Sequence, residues 1–82
     1  MPTVAFVDGM RIVVFYNDHE PPHFHAFLGE HTLRINILSG AAMDGDPERM
    51  GRRLGEWAGE HRAELLEAWA DIRAGRAPRR IG

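Results

Sequence analysis

The sequence predicts an α+β domain, in which an antiparallel meander of four or five strands is followed by a C-terminal helical segment packed on one sheet face. Two short glycine-containing turns, Asp8-Gly9 and Gly29-Glu30, separate runs rich in β-branched and aromatic residues. In the second half of the chain, apolar residues recur at steps of three and four, which is helical spacing. The 82 residues therefore predict a single domain, divided into a β meander (1–45), a helical segment (46–75) and a basic tail (76–82).

The first predicted hairpin pairs Thr3–Val7 with Arg11–Tyr16. Asp8-Gly9 lies between them and favours a type I′ turn, because that turn needs positive φ at both central residues. Asn17–Pro22 has the composition of a loop and leads into the next strand.

The second predicted hairpin pairs His23–Leu28 with His31–Leu38 through a two-residue loop, in which Gly29 suits a type II′ turn. Such a loop sets the register, and residues opposite one another share a sheet face. One face is predicted to join the core and consists of Phe24, Ala26, Leu28, Leu33, Ile35 and Ile37. The other face is polar apart from one ring and consists of His23, His25, Phe27, Thr32, Arg34 and Asn36.

The helical segment is predicted to follow a short fifth strand at Ala41–Met43, with Asp46 as N-cap and Pro47 in the first helical position. A single helix over this segment would be about 40 Å long. That length is too great for so small a domain, so we expect a break or kink near Gly59. Gly75 is expected to end the last helix, and the residues after it to form a frayed tail.

Within the helical segment, glycines recur at every fourth residue from Gly51, and each costs a helix about 1 kcal/mol relative to alanine. Two interpretations stay open: the glycines permit another backbone to approach, or they reflect composition alone. Trp57 and Trp69 share a broad helical face and are predicted core residues. His61 lies on that face and is predicted to be a buried or boundary histidine with one hydrogen-bond partner.

Composition excludes several classes of function. The chain has no cysteine, so disulfides, thiolate zinc sites and thiol nucleophiles are excluded. Its longest apolar runs have four or five residues, far fewer than a bilayer span needs, and the first residues show no signal-peptide pattern. We therefore expect a cytoplasmic protein without membrane association.

Three of the five histidines fall in the seven residues from His19 to His25. Pro21-Pro22 restricts the backbone between them, which is the pre-organisation that a binding site needs and also what an ordinary tight connection needs. This segment is the strongest candidate for a functional site, and three interpretations of it remain open.

The first interpretation is a metal site. Imidazoles of His19, His23 and His25 could hold a transition metal such as zinc, with a nearby glutamate as a further ligand. Arg34, predicted opposite His25, would place a cation beside that metal, which counts against this interpretation.

The second interpretation is a site for RNA or another phosphate-bearing target, without a cofactor. His19, His23 and His25 would act as acid and base, and Arg34 and Asn36 would bind the phosphate. The third interpretation is structural, with histidines that end a strand and hydrogen-bond to nearby backbone.

Four sequence features together resemble a known family. They are the opening Met-Pro-Thr-Val, the turn Asp8-Gly9-Met10-Arg11-Ile12, the string Asn17-Asp18-His19-Glu20-Pro21-Pro22-His23-Phe24-His25, and Trp57-x3-His61-x3-Leu65-Leu66-x2-Trp69. This combination resembles the bacterial Domain of Unknown Function family four-one-six-zero, whose members centre on a Pro-His-Phe-His motif. The resemblance covers nearly the whole chain.

The resemblance implies a genetic context and assigns no reaction. Genes of that family often stand beside members of a second small family, two-four-four-two, in an arrangement like a toxin–antitoxin pair. It therefore implies a toxin–antitoxin-type component bound to the neighbouring gene's protein. Together with the histidine segment, this leads to the hypothesis that the chain acts on RNA or another phosphate-bearing target through its His/Arg face. A metal-binding domain and a non-catalytic interaction module are the alternatives, and a homodimer is a further possible assembly. Whether the protein is an enzyme stays open.

Overall fold

The computed structural model describes residues 3–44 and 48–81, which form an antiparallel five-stranded sheet followed by two helices. The α+β prediction is confirmed. Strand order follows chain order, so the sheet is a simple meander. The elements are β1 (Thr3–Val7), β2 (Met10–Val13), β3 (His23–Leu28), β4 (His31–Asn36), β5 (Ala42–Asp44), α1 (Glu48–Glu60) and α2 (Arg62–Arg73).

The two hairpin turns have the backbone that their sequences predict. Asp8 and Gly9 both have positive φ, at 50° and 81°, as a type I′ turn requires. Gly29 has φ of 58° at the first central position of the second turn. The register of β3 and β4 is also as predicted, so that His25 lies opposite Arg34.

The predicted core face is buried except at one position. Phe24, Ala26, Leu33, Ile35 and Ile37 are all at most 1% exposed and pack against apolar residues of both helices. The prediction for Leu28 was wrong, since its side chain is 39% exposed. It ends β3 beside the hairpin turn and lies outside the core cluster.

The helical segment consists of two helices, interrupted at His61. Gly59, near which a break was predicted, lies inside α1, and nothing would contact a Cβ atom there. Gly55 does permit a close approach, because a Cβ atom on it would lie 2.7 Å from the backbone oxygen of Gly40. The expected cap at Asp46-Pro47 falls outside the described residues.

Gly75 ends α2 in the left-handed conformation, with φ of 79°, and the amide of Arg76 donates to the carbonyl of Asp71. The expectation of a frayed tail after it was wrong. The amide of Ile81 donates to the carbonyl of Val4 at 2.7 Å, and the Ile81 side chain is buried in the core. Burial of this last apolar residue holds the tail against β1. Among the described residues, neither helix has the length and apolarity needed to cross a bilayer.

Candidate functional site

Three side chains of the histidine segment converge on one point. They are Asp18, from the loop between β2 and β3, and His23 and His25, from β3. Their candidate ligand atoms all lie within 4.8 Å of one another. The side chains are 15%, 5% and 15% exposed in that order, so the cluster is largely shielded from water. We call these three residues the Asp-His-His cluster.

The Asp18 carboxylate is held by its own loop. Its Oδ2 atom accepts the Phe15 amide at 3.0 Å, and the Asp18 amide donates to the Phe15 carbonyl at 3.2 Å. This reciprocal pair closes a tight turn directly after β2. The far end of the loop is fixed as well, because the Pro22 carbonyl accepts the Ile37 amide at 2.9 Å. The carboxylate therefore faces β3 in a defined orientation.

His23 is oriented by a hydrogen bond at its Nδ1 atom, while its second ring nitrogen, Nε2, faces Asp18. Nδ1 lies 2.8 Å from the Pro21 carbonyl oxygen, and since a carbonyl can only accept, Nδ1 carries the proton of that hydrogen bond. In the neutral ring the Nε2 lone pair then faces Asp18 Oδ1, 3.6 Å away. Two acceptors face each other across this gap, an arrangement that a proton or a cation between them would stabilise.

His23 is buried although it belongs to the polar face of the hairpin. Its ring lies 5.4 Å from the Trp69 ring of α2 and is 4% exposed. Alternation along β3 correctly places His23 on the face opposite the core residue Phe24. What the alternation could not show is that Trp69 covers this end of the strand.

His25 lies beside two aromatic rings, which are 6.4 Å from each other. Phe15 contacts it edge-on at 4.5 Å and Phe27 stacks at 6.4 Å. Its Nε2 atom is 3.3 Å from Asp18 Oδ2. Burial lowers the pKa of the His25 imidazole below its ordinary value, although the Asp18 carboxylate acts in the opposite direction. The neutral form, which can bind a metal or accept a proton, is therefore favoured.

The two residues predicted to bind phosphate are engaged elsewhere. Both Nε and Nη2 of Arg34 lie within 2.9 Å of Asp44 Oδ2 on β5. The hydrogen bond from Arg34 holds the pKa of the Asp44 carboxyl below its usual range. Asn36 Oδ1 accepts the amides of Leu38 and Ser39, at 2.8 and 3.0 Å, and so stabilises the turn after β4.

His19 is exposed and stands apart from the Asp-His-His cluster. It lines a cleft of about 200 Å³ together with Tyr16, Asn17, Asp18 and Arg73. Arg73 comes from the end of α2, where its Nη1 donates to the Asp18 carbonyl at 3.1 Å. The cleft therefore opens directly beside the cluster.

Two residues of this region are not among the predicted site residues, Asp18 and Arg73. The sequence offers Arg73 only as one of several C-terminal arginines that could contact nucleic acid or an acidic partner, which is not a specific signal. For Asp18 a signal existed, since it begins the histidine segment and is a residue type that closes turns. For Arg73 no signal linked it to the histidine segment, because 55 residues separate it from Asp18 and only the packing of α2 brings them together.

Comparison with known proteins supports the family resemblance. The family model described as "Domain of unknown function (DUF4160)" matches residues 9–70, more than half of the chain. No curated protein and no solved structure matches the chain. The matched region contains the Asp-His-His cluster and ends before Arg73.

Proposed function

The chain belongs to the DUF4160 family, and since the description of that family names no activity, we propose from the site itself that the chain is a metal-binding domain. In this proposal Asp18, His23 and His25 hold one divalent transition metal. A single observation carries it: one carboxylate and two imidazole nitrogens converge, with N–O distances of 3.3 to 3.6 Å.

These distances suit a metal ion. Zinc binds imidazole nitrogen and carboxylate oxygen at about 2.0–2.2 Å in tetrahedral geometry, so its neighbouring ligand atoms are roughly 3.3–3.5 Å apart. The contacts of Asp18 with His23 and His25 already match that separation. They are long for hydrogen bonds, whose donor–acceptor distances are typically about 2.7–3.2 Å. The carboxylate–imidazole spacing therefore suits an ion bound between Asp18 and each histidine, and all three ligand atoms lie within 4.8 Å of one another.

Outer contacts support the orientation of all three ligands. Metal-binding histidines usually donate their second ring nitrogen to a carbonyl or carboxylate, as His23 donates to Pro21. Asp18 is fixed by the Phe15 amide, and His25 by the rings of Phe15 and Phe27. A site whose ligands are held before binding loses little conformational entropy when the metal enters.

The donor set favours particular metals. Imidazole suits zinc, iron, nickel and copper, whereas calcium and magnesium prefer oxygen ligands throughout. Three protein ligands also leave at least one coordination position for water or substrate, the arrangement typical of catalytic rather than structural zinc sites.

In the folded protein, the positive charge of Arg34 opposes metal binding less than the sequence suggested. Its guanidinium binds Asp44, so an opposite charge accompanies it near the site. Arg34 still acts on His25, whose pKa its charge helps to lower, but it does so weakly compared with burial. Lowering that pKa helps metal binding, since a metal binds the neutral imidazole.

Titration of the tag-free protein with zinc, followed by calorimetry and thermal unfolding, tests the proposal. We expect one equivalent to bind and to raise the unfolding temperature, because a ligand that binds only the folded state stabilises it. The double variant His23→Ala/His25→Ala should lose both effects. His31→Ala serves as the matched control, since His31 is exposed at the hairpin turn. Absence of binding in the wild-type protein, or equal binding by the double variant, contradicts the proposal.

A second candidate function is metal-independent acid–base action on RNA within a toxin–antitoxin-type module. The observation that favours it is that the His25 imidazole, whose pKa burial lowers, lies beside Asp18 and His23, with Arg73 nearby as a cation. Expression in a bacterium should then arrest growth, and His23→Ala/His25→Ala should restore it. Arrest that persists in the double variant contradicts this function. Co-purification with the neighbouring gene's product would identify the partner, and a cytoplasmic location belongs to the same proposal.

A further inference from the structure

The cleft beside the Asp-His-His cluster has the composition of an anion site. Its lining combines a guanidinium, an imidazole, a phenol and an amide, from Arg73, His19, Tyr16 and Asn17, with Asp18 at the boundary with the cluster. Asp18 belongs both to the lining of this cleft and to the metal site, so a molecule in the cleft would lie next to a residue that supplies a metal ligand. The cleft and the metal site are thus two parts of one surface.

We propose that this cleft binds the phosphate group of a phosphate ester, with Arg73 as its guanidinium ligand and the metal as its second positive charge. The inference rests on the proposed metal site. It names the class of substrate that the open coordination position of the metal would receive.

Arg73 is held in place for this role. Its guanidinium lies 5.6 Å from the centre of the Trp69 ring, and one nitrogen donates to the Asp18 carbonyl. Trp69 in turn packs on His23, so one tryptophan positions both a metal ligand and the cation. A guanidinium has five N–H donors, and the described chain uses one of them here. The others remain for a ligand, and the planar fork matches phosphate oxygens.

The charge balance makes phosphate binding depend on the metal. Without a metal, the Asp18 carboxylate opposes an incoming anion and offsets Arg73. A divalent metal on one carboxylate and two neutral imidazoles leaves a net charge of +1, and Arg73 brings the total to +2. The metal should therefore strengthen phosphate binding, and by linkage phosphate should strengthen metal binding by the same factor.

The structure favours a different phosphate-binding cation from the one that the sequence suggested. The sequence suggested Arg34 and Asn36 as the phosphate ligands, but Arg34 is bound by Asp44 and Asn36 stabilises a turn. The Asp44 carboxylate balances the charge of Arg34, which weakens the attraction of this guanidinium for a phosphate. Arg73 keeps its contacts to Trp69 and the Asp18 carbonyl while its remaining donors are available.

Phosphorus NMR on the cobalt-loaded full chain tests the inference, because paramagnetic cobalt broadens the signal of a phosphate that binds next to it. The probes are inorganic phosphate and adenosine 5′-monophosphate, measured with the wild-type protein and with Arg73→Gln. Arg76→Gln is the matched control, since it makes the same charge change three residues away at a residue that instead binds Asp71. Cobalt absorption reports metal binding and folding of each variant separately.

We expect the wild-type and Arg76→Gln proteins to broaden the phosphate signal alike, and Arg73→Gln to bind phosphate at least about tenfold more weakly while its cobalt affinity stays near that of the wild type. Equal broadening of the two probes assigns recognition to the phosphate group, and stronger broadening of the nucleotide assigns further recognition to the base or sugar. Phosphate affinity that is the same in Arg73→Gln and wild type overturns this inference and leaves the metal proposal intact. Failure of the wild-type protein to bind cobalt overturns the metal proposal instead.

Discussion

The molecule contains two groups in which histidine meets carboxylate, and they differ in how they are built. In the Asp-His-His cluster the N–O distances are 3.3 to 3.6 Å and the side chains are at most 15% exposed. In the other group His61 Nδ1 lies only 2.7 Å from Glu64 Oε1, but the side chains are 28% and 53% exposed. Each group has a histidine whose ring lies within about 5.4 Å of a tryptophan.

Neither a short histidine–carboxylate contact nor a neighbouring tryptophan ring is enough to form a metal site. His61 and Glu64 lie three residues apart at the start of α2, so their contact is local, and an exposed pair of this kind contributes little. The Asp-His-His cluster needs a loop, a strand and the covering Trp69. Its longer contacts leave room for an ion between ligands that are already oriented, whereas the 2.7 Å contact leaves none.

The largest expected difference between the two groups is in metal affinity. Asp18→Asn keeps the size of the side chain and its contact with the Phe15 amide but removes the charge. We expect a loss of zinc affinity greater than the roughly 10–100-fold that follows loss of an outer contact, because here a ligand is changed. Glu64→Gln should leave affinity unchanged in the same calorimetric titration. Equal losses in the two variants would show that the two groups do not differ as described.

The next difference is in stability. His23→Ala removes a buried ring and the hydrogen bond to Pro21, so it should lower the free energy of unfolding by about 2–3 kcal/mol. His61→Ala removes a partly exposed ring at a helix junction and should cost less than about 1 kcal/mol. Urea unfolding of both variants without metal measures the contrast. A cost for His61→Ala equal to that of His23→Ala would contradict the assignment of burial.

The smallest expected effect concerns the Arg34–Asp44 ion pair, which lies next to the Asp-His-His cluster. Arg34→Gln should raise the pKa of Asp44 towards its ordinary value, since the hydrogen bond from Arg34 is the main cause of its depression. A depressed carboxyl pKa contributes stability that is present above the pKa of the unfolded chain and is lost as the pH falls through the folded pKa. Both side chains are exposed, so the change in unfolding should be too small to resolve.

NMR titration of the Asp44 carboxyl carbon, in wild type and Arg34→Gln, measures the pKa directly. Zinc affinity of Arg34→Gln should stay close to that of the wild type, because Asp44 already accompanies the positive charge. A clear gain in affinity would show that Arg34 opposes the metal after all, as the sequence suggested.

Much of the sheet could be predicted because its signals are local. Asp8-Gly9 specifies a turn through the backbone freedom of two adjacent residues, and the observed φ values confirm it. The two-residue loop at Gly29 set the register of β3 against β4, and with it the faces of His23 and His25. Leu28 is the exception, since alternation assigns a face but cannot show where the helices stop covering it.

Prediction from local sequence has the same limit in the helices. A break between two helices followed from length alone, but the contact that makes Gly55 necessary comes from Gly40, a turn residue fifteen positions earlier in the chain. The buried position of Ile81 depends on the edge of β1, at the other end of the chain. Local composition described the residues after Gly75 as basic and did not show that Ile81 packs in the core.

By itself, the sequence determined that a histidine segment enters a strand with His23 and His25 on one face, because side-chain alternation and turn chemistry act between near neighbours. Only the tertiary structure decided which residues join them. It brings Asp18 into the cluster through a closed turn, covers His23 with Trp69 and places Arg73 at the cleft, while Arg34 pairs with Asp44. The physical reason is that the contacts of Trp69 and Arg73 depend on how α2 packs beside β3 and the loop before it, and the contact of Arg34 depends on the pairing of β5 with β4. No local pattern encodes that packing.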